Sequence, residues 1–190
     1  SDTPHRWRAP ALAALVLAIM AGYGVAALAA HPTAFVEGVK LRIMQPDLPQ
    51  DDKFNYGARQ QVLDRYIALS DRATGPQSRG VGDATHLIWP ESAFPFFLTR
   101  EPEALARIAD MLPPGTVLIT GSVRAPETLP PDGRITRAYN SIYAIDHEGA
   151  ILGIYDKVHL VPFGEYLPLQ PLLERLGLMQ LTKVAGGFLS

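Results

Sequence analysis

Two short stretches carry side chains able to do chemistry. The first, from Tyr155 to Pro168, reads YDKVHLVPFGEYLP and sets Asp156, Lys157, His159 and Glu165 among aromatics, prolines and a glycine. The apolar run at 150–155 reads as a buried strand, and Pro162 and Gly164 keep the following residues from becoming helix. Lys157 then stands at a strand end, partly desolvated, where a lysine is chemically useful. The second stretch, Trp89-Pro90-Glu91-Ser92-Ala93-Phe94-Pro95, places Glu91 directly after another apolar run. A carboxylate among prolines and aromatics loses hydration, so its pKa is expected to rise towards that of a general base. Each residue also has a plainer reading. Lys157 could form a surface ion pair with Asp156 or Glu165, and Glu91 could cap its turn or pair with an arginine. Two opposite charges, each at a predicted strand end, favour one shared site.

The elements that must position these groups follow from hydrophobic period. Alternation at 39–44 predicts a strand that Pro46 and Pro49 end. Residues 55–73 have a helical period, with Tyr56, Val62, Leu63, Tyr66, Ile67 and Leu69 on one side. A loop at 75–83 precedes a short strand at 85–89, stopped by Pro90. A helix is predicted at 101–112, with acidic residues in its first turn as the helix dipole prefers. Strands follow at 116–123, 139–145 and 150–155, the last two joined by the hairpin signal Asp146-His147-Glu148-Gly149. Residues 125–137 read as a loop and 171–178 as a short helix. Helices alternating with strands, then strands pairing, imply a mixed sheet covered by helices.

The 190 residues carry a net charge of −2 and no cysteine. That balance leaves no electrostatic footprint for nucleic acid. The missing cysteine excludes a disulfide, a Cys-ligated metal and a Cys nucleophile within the chain. No metal-ligand spacing is present, and no cofactor is expected. Residues 10–30 contain no charged side chain. Such a run is long enough to cross a bilayer as a helix, here expected over 10–31. A signal peptide and a core helix are the competing readings. Arg6 and Arg8 before it assign residues 1–9 to the cytoplasmic side and the chain beyond His31 to the outside. The sequence from 36 to 190 then forms an α/β domain that is expected to be incomplete, part of a longer protein.

WPESAFP, Tyr139-Asn140-Ser141 and YDKVHLVPFGEYLP together resemble the nitrilase, or carbon–nitrogen hydrolase, superfamily, most closely its membrane-bound apolipoprotein N-acyltransferase branch. The likeness covers roughly residues 39–190, and Gln45 to Gln50 is similar to the family's first strand and loop. It implies a partial nitrilase-like α-β-β-α sandwich behind one transmembrane helix, on the periplasmic side of a bacterial inner membrane. It also implies two-step acyl transfer from a phospholipid donor to a diacylglyceryl apolipoprotein acceptor. In that scheme Glu91 is the general base, Lys157 the oxyanion stabiliser and Glu165 the acid beside the lysine. Phe54, Tyr139 and Asn140 would contact substrate. Phe54 stands where this branch commonly carries Trp, and His159 is expected to be structural. The family nucleophile is a Cys after a later strand, and Ser92, Ser141 and Ser190 do not occupy its place. Two rivals remain: a soluble-type amidase acting on a small C–N substrate, and an inactive membrane-tethered domain.

Overall fold

The computed structural model describes residues 7–49, 55–128, 135, 138–162, 164–166 and 188–189. The chain divides into two compact units, residues 1–37 and 38–190. Among the described residues the first is built on one helix, α1 (Arg8–Ala30). Its 23 residues span about 35 Å at 1.5 Å per residue. Pro10 is tolerated because first-turn amides have no intrahelical acceptor. At the other end the His31 backbone N–H and Nδ1–H both donate to Ala27 O, each at 3.0 Å. Pro32 bars a further turn. With a mean hydropathy of 2.2 and no buried residue, α1 is long and apolar enough to cross a membrane.

The second unit is a mixed sheet with helices. In chain order it runs β1 (Leu41–Ile43), α2 (Arg59–Asp71), β2 (His86–Ile88), α3 (Pro102–Met111), β3 (Val117–Arg124), β4 (Ala138–Ile145), β5 (Ile151–Asp156) and β6 (Phe188–Leu189). The sheet order is β1-β2-β3-β4-β5, with β6 paired to β4. β1, β2 and β3 are parallel, as the intervening helices require. β4 is antiparallel to both β3 and β5, and parallel to β6. The hairpin expected at 146–149 forms: Asp146 Oδ1 accepts from Glu148 N and Ala150 N, each at 2.9 Å. Gly149 takes a left-handed φ of 78° there.

Period-2 alternation sorts the side chains. Leu87, Leu118, Tyr143 and Ile145 pack with Val62, Leu63 and Tyr66 of α2 and with Ala104 and Ile108 of α3. This is the core. The opposite face bears Leu41, Ile43 and Ile142, which are exposed among the described residues. The described residues thus supply one helical layer and one sheet of the expected sandwich.

Two expectations change here. β5 is not a buried strand: its ends are half-buried and the residues between are exposed. Among the described residues it is the terminal strand of the sheet order, so few of them cover it. In β1 the core-facing residue is Arg42, not its apolar neighbours. Arg42 donates to Leu69 O at 3.1 Å and Arg72 O at 2.5 Å. A guanidinium there satisfies carbonyls that the end of α2 leaves without an intrahelical donor. The helix expected at 171–178 lies outside the described residues, as does Phe54.

Candidate active site

Glu91 owes its position to the aromatics around it. Trp89 and Phe94 are buried, with ring centroids 5.6 Å apart, and Trp89 also stacks 4.8 Å from Tyr66 of α2. Trp89 Nε1 donates to the buried Ser70 hydroxyl at 2.9 Å. Between these anchors the chain turns outward through Ser92, whose φ of 48° is left-handed and strained for a residue with a Cβ. β3 holds the turn from the side: Gly121 N donates to Pro90 O at 3.2 Å, and Ala93 N to Gly121 O at 2.9 Å. This approach needs glycine. A Cβ on Gly121 would stand 2.6 Å from Glu91 Cα and 2.8 Å from Ser92 N.

Lys157 follows β5 and extends its pairing with β4, the Lys157 amide donating to Asn140 O at 2.8 Å. Their side chains therefore project to the same face. The loop beyond folds back through Glu165, whose N–H donates to Val161 O at 2.8 Å while its Oε2 accepts Val161 N–H at 2.8 Å.

The three segments converge. Lys157 Nζ lies 3.0 Å from Glu165 Oε1 and 3.5 Å from Glu91 Oε1. Asn140 Nδ2 donates to Glu91 Oε1 at 2.6 Å and to Glu165 Oε1 at 2.9 Å. One ammonium and one amide thus hold two carboxylates together that would otherwise repel. Burial pushes the Glu165 carboxyl up, but the Val161 N–H, Lys157 and Asn140 outweigh it and hold it below the usual range. The hydrogen bond to Glu165, with Glu91 adding its charge, raises Lys157 above its usual value despite partial burial. The group is a firmly protonated ammonium, suited to meeting negative charge rather than to taking up protons.

Glu91 is the open member of the cluster. Its side chain is 64% exposed, so the apolar enclosure expected from its sequence neighbours is not what surrounds it. Trp89 and Phe94 turn into the core and leave the carboxylate facing a cleft of about 560 Å³. Ile88, Ile119, Ile142, Tyr155 and Val158 supply apolar wall, with Asn140, Lys157 and His159 among the polar groups. An exposed carboxylate beside an ammonium, under an apolar groove, can take a proton from a nucleophile while the ammonium stabilises an oxyanion.

Residues 42–186 match the carbon–nitrogen hydrolase family. The chain belongs to the carbon–nitrogen hydrolase family. The chain is also similar to apolipoprotein N-acyltransferases. It is 63% identical to that of Rhodopseudomonas palustris over 190 residues, all of this chain and 35% of that protein. It is 64% identical to that of Bradyrhizobium diazoefficiens over 99% of this chain and 35% of that protein. To that of Rhizobium etli it is 44% identical over 94% of this chain and 33% of that protein. The chain thus spans about a third of the length of the curated relatives it matches.

Within this carbon–nitrogen hydrolase domain, three of the residues singled out in the sequence, Glu91, Lys157 and Glu165, meet as one cluster. Asn140 joins them as the bridge between carboxylates. Tyr139 lies on the other face of β4, where the Arg124 guanidinium sits 4.2 Å from its ring centroid. His159 is on the cleft wall. Asp156 does not pair with Lys157; Arg124 takes it, at 2.5 Å. The contacts of Gly121 with the Glu91 turn, and of Arg124 and Ser141 with Asp156 on the other face, were not foreseen in the sequence. They depend on strand register, and only the hairpin signal near Asp146 hinted at one.

Proposed function

We propose that the natural protein containing this chain is an apolipoprotein N-acyltransferase of a bacterial inner membrane, with the domain on the periplasmic side. The observation that carries the reading is the cluster itself, Lys157 Nζ standing 3.0 Å from Glu165 Oε1 and 3.5 Å from Glu91 Oε1. The high identity to proteins of that name and the apolar length of α1 support it. Arg8 at the start of α1 and Arg6 before it favour the orientation.

Glu91 takes the proton of a cysteine thiol that this chain does not contain. The thiolate attacks the ester carbonyl of a phospholipid, and the Lys157 ammonium stabilises the tetrahedral oxyanion. Collapse breaks the C–O bond, and Glu91 returns its proton to the departing lysophospholipid alkoxide, leaving a thioester. The α-amine of a diacylglyceryl-cysteine lipoprotein then attacks the thioester. Glu91 accepts the amine proton and passes it to the departing thiolate, completing the N-acyl product. Glu165 and Asn140 keep Lys157 and Glu91 in place through both halves. The apolar walls of the cleft suit an acyl chain, and α1 keeps the domain at the surface where both substrates lie.

In the natural protein, reconstituted with phospholipid and a diacylglyceryl lipopeptide, Glu91→Gln and Lys157→Ala should each lower acyl transfer by at least about a hundredfold. Full transfer by either variant would remove its assigned role. Release of fatty acid to water with no acylated peptide, from the unaltered protein, would point instead to a hydrolase.

A further inference from the structure

Behind the cluster, on the reverse of the same strands, lies a second charged group. Arg124 ends β3 and Asp156 ends β5, and these strands are separated by β4. The Arg124 side chain crosses β4 to reach Asp156, with Nε to Oδ1 at 2.9 Å and Nη2 to Oδ2 at 2.5 Å. On the way it lies over the Tyr139 ring, and the buried Ser141 hydroxyl donates to Asp156 Oδ1 at 2.6 Å. The guanidinium fork is the side chain that can make this bidentate contact, and lysine cannot reproduce it. The pair is largely shielded, with side chains 18% and 29% exposed.

Sequence adjacency ties this group to the active cluster. Asp156 immediately precedes Lys157, and Ser141 immediately follows Asn140. Ser141 is paired with Asp156 in the sheet, and Lys157 continues the ladder opposite Asn140. The contact therefore grips the backbone at the two points whose adjoining residues, Lys157 and Asn140, turn to the other face and enter the site. β5 needs such a grip. Among the described residues Leu152, Ile154 and Tyr155 are exposed, so within them hydrophobic packing does little to hold the strand end still.

We propose that the Arg124–Asp156–Ser141 clasp is a positioning device that sets Lys157 against Glu91 and Glu165 through the β4–β5 backbone. Its bearing on acyl transfer rests on the function proposed above; its bearing on the placement of Lys157 does not. The test uses the natural protein with Asp156→Asn and, separately, Arg124→Lys. Lys157 is labelled with an amine-reactive reagent at a series of pH values and followed by mass spectrometry. Released from Glu165 and Glu91, Lys157 should label about tenfold faster near pH 9 in Asp156→Asn, because more of it is free amine. Arg124→Lys should fall between that variant and the unaltered protein. kcat for acyl transfer should fall about tenfold in Asp156→Asn with KM for phospholipid unchanged. Arg107→Gln, which opens the exposed Arg107–Asp64 pair between α3 and α2, should change neither reading. Unchanged Lys157 labelling in a folded Asp156→Asn protein overturns the proposal. Should that variant not fold, wild-type labelling in Arg124→Lys overturns it equally. Absence of acyl transfer in the unaltered protein would defeat the functional reading, while the labelling would still decide the clasp.

Discussion

Glu165 is the residue on which the cluster closes. Each of its carboxylate oxygens is engaged, Oε1 by Lys157 and Asn140 and Oε2 by the Val161 amide. Its carboxyl sits below the ordinary value when folded, so it contributes stability that is present above the unfolded value. That contribution is lost as pH falls through the folded value. Lys157 is raised, so its contribution is complete below the ordinary lysine value and is lost as pH rises through the folded one. Asp156, held low chiefly by its hydrogen bond to Arg124, adds to the acid limb. Urea unfolding of the chain should therefore give a plateau at intermediate pH with a fall on both sides. Glu165→Gln should flatten both limbs, since the variant can neither ionise nor hold the ammonium by charge. A Gln variant with the same pH profile as the unaltered chain would show that the pairing does not couple to folding. Lys157 and Glu165 were both legible as chemistry in the sequence, but the choice between Asp156 and Glu165 as the lysine's partner was not. Neighbours in a strand point to opposite faces, and the residue eight positions on returns only because the loop folds back.

At the scale of elements, β3 and the Glu91 turn are in backbone contact, and Gly121 is the residue that permits it. Gly121→Ala would press a methyl group against Glu91 Cα and Ser92 N, neither of which is the far end of a flexible side chain. The turn has no room to yield, because Trp89 and Phe94 fix it on both sides. The expected outcome is a loss of about 1–3 kcal/mol in unfolding free energy, together with a displaced Glu91 and weakened activity. Denaturant titration measures the first part, and an unchanged midpoint would contradict the close approach. The strands, helices and hairpin around this contact were largely readable, since their apolar periods are regular. Which face each strand presents was less readable. Arg42 faces the core side because the end of α2 needs a donor there, a demand that arises only when two elements meet.

For the whole molecule, the chain consists of an apolar helical unit and an α/β unit. α1 carries no buried residue and has the hydropathy of a span. Expressed in bacteria, the 190-residue chain should remain in the membrane pellet after alkaline carbonate extraction. Leu17→Asp together with Ile19→Asp should release it, each aspartate costing about 2.5–3.5 kcal/mol near the middle of a spanning helix. Retention of the double variant would argue that something other than α1 holds the chain to membranes.

Sequence alone determined the list of parts: an apolar helix, an alternating α/β pattern, an acid after one strand and a lysine after another. These are local properties, carried by periodicity and by neighbours along the chain. The tertiary structure decided how the parts face one another. From its turn, the β4–β5 hairpin pairs Ile145 with Ile151, and then Ala144 with Gly153, leaving Leu152 as an extra residue. A bulge of this kind shifts register by one, and one step exchanges the two faces of a strand. It brings Ser141 opposite Asp156 and puts Asp156 on Arg124's face, leaving Lys157 to the face of Asn140 and Glu91. No period in the sequence marks where that extra residue falls, because the bulge is settled by packing across the sheet.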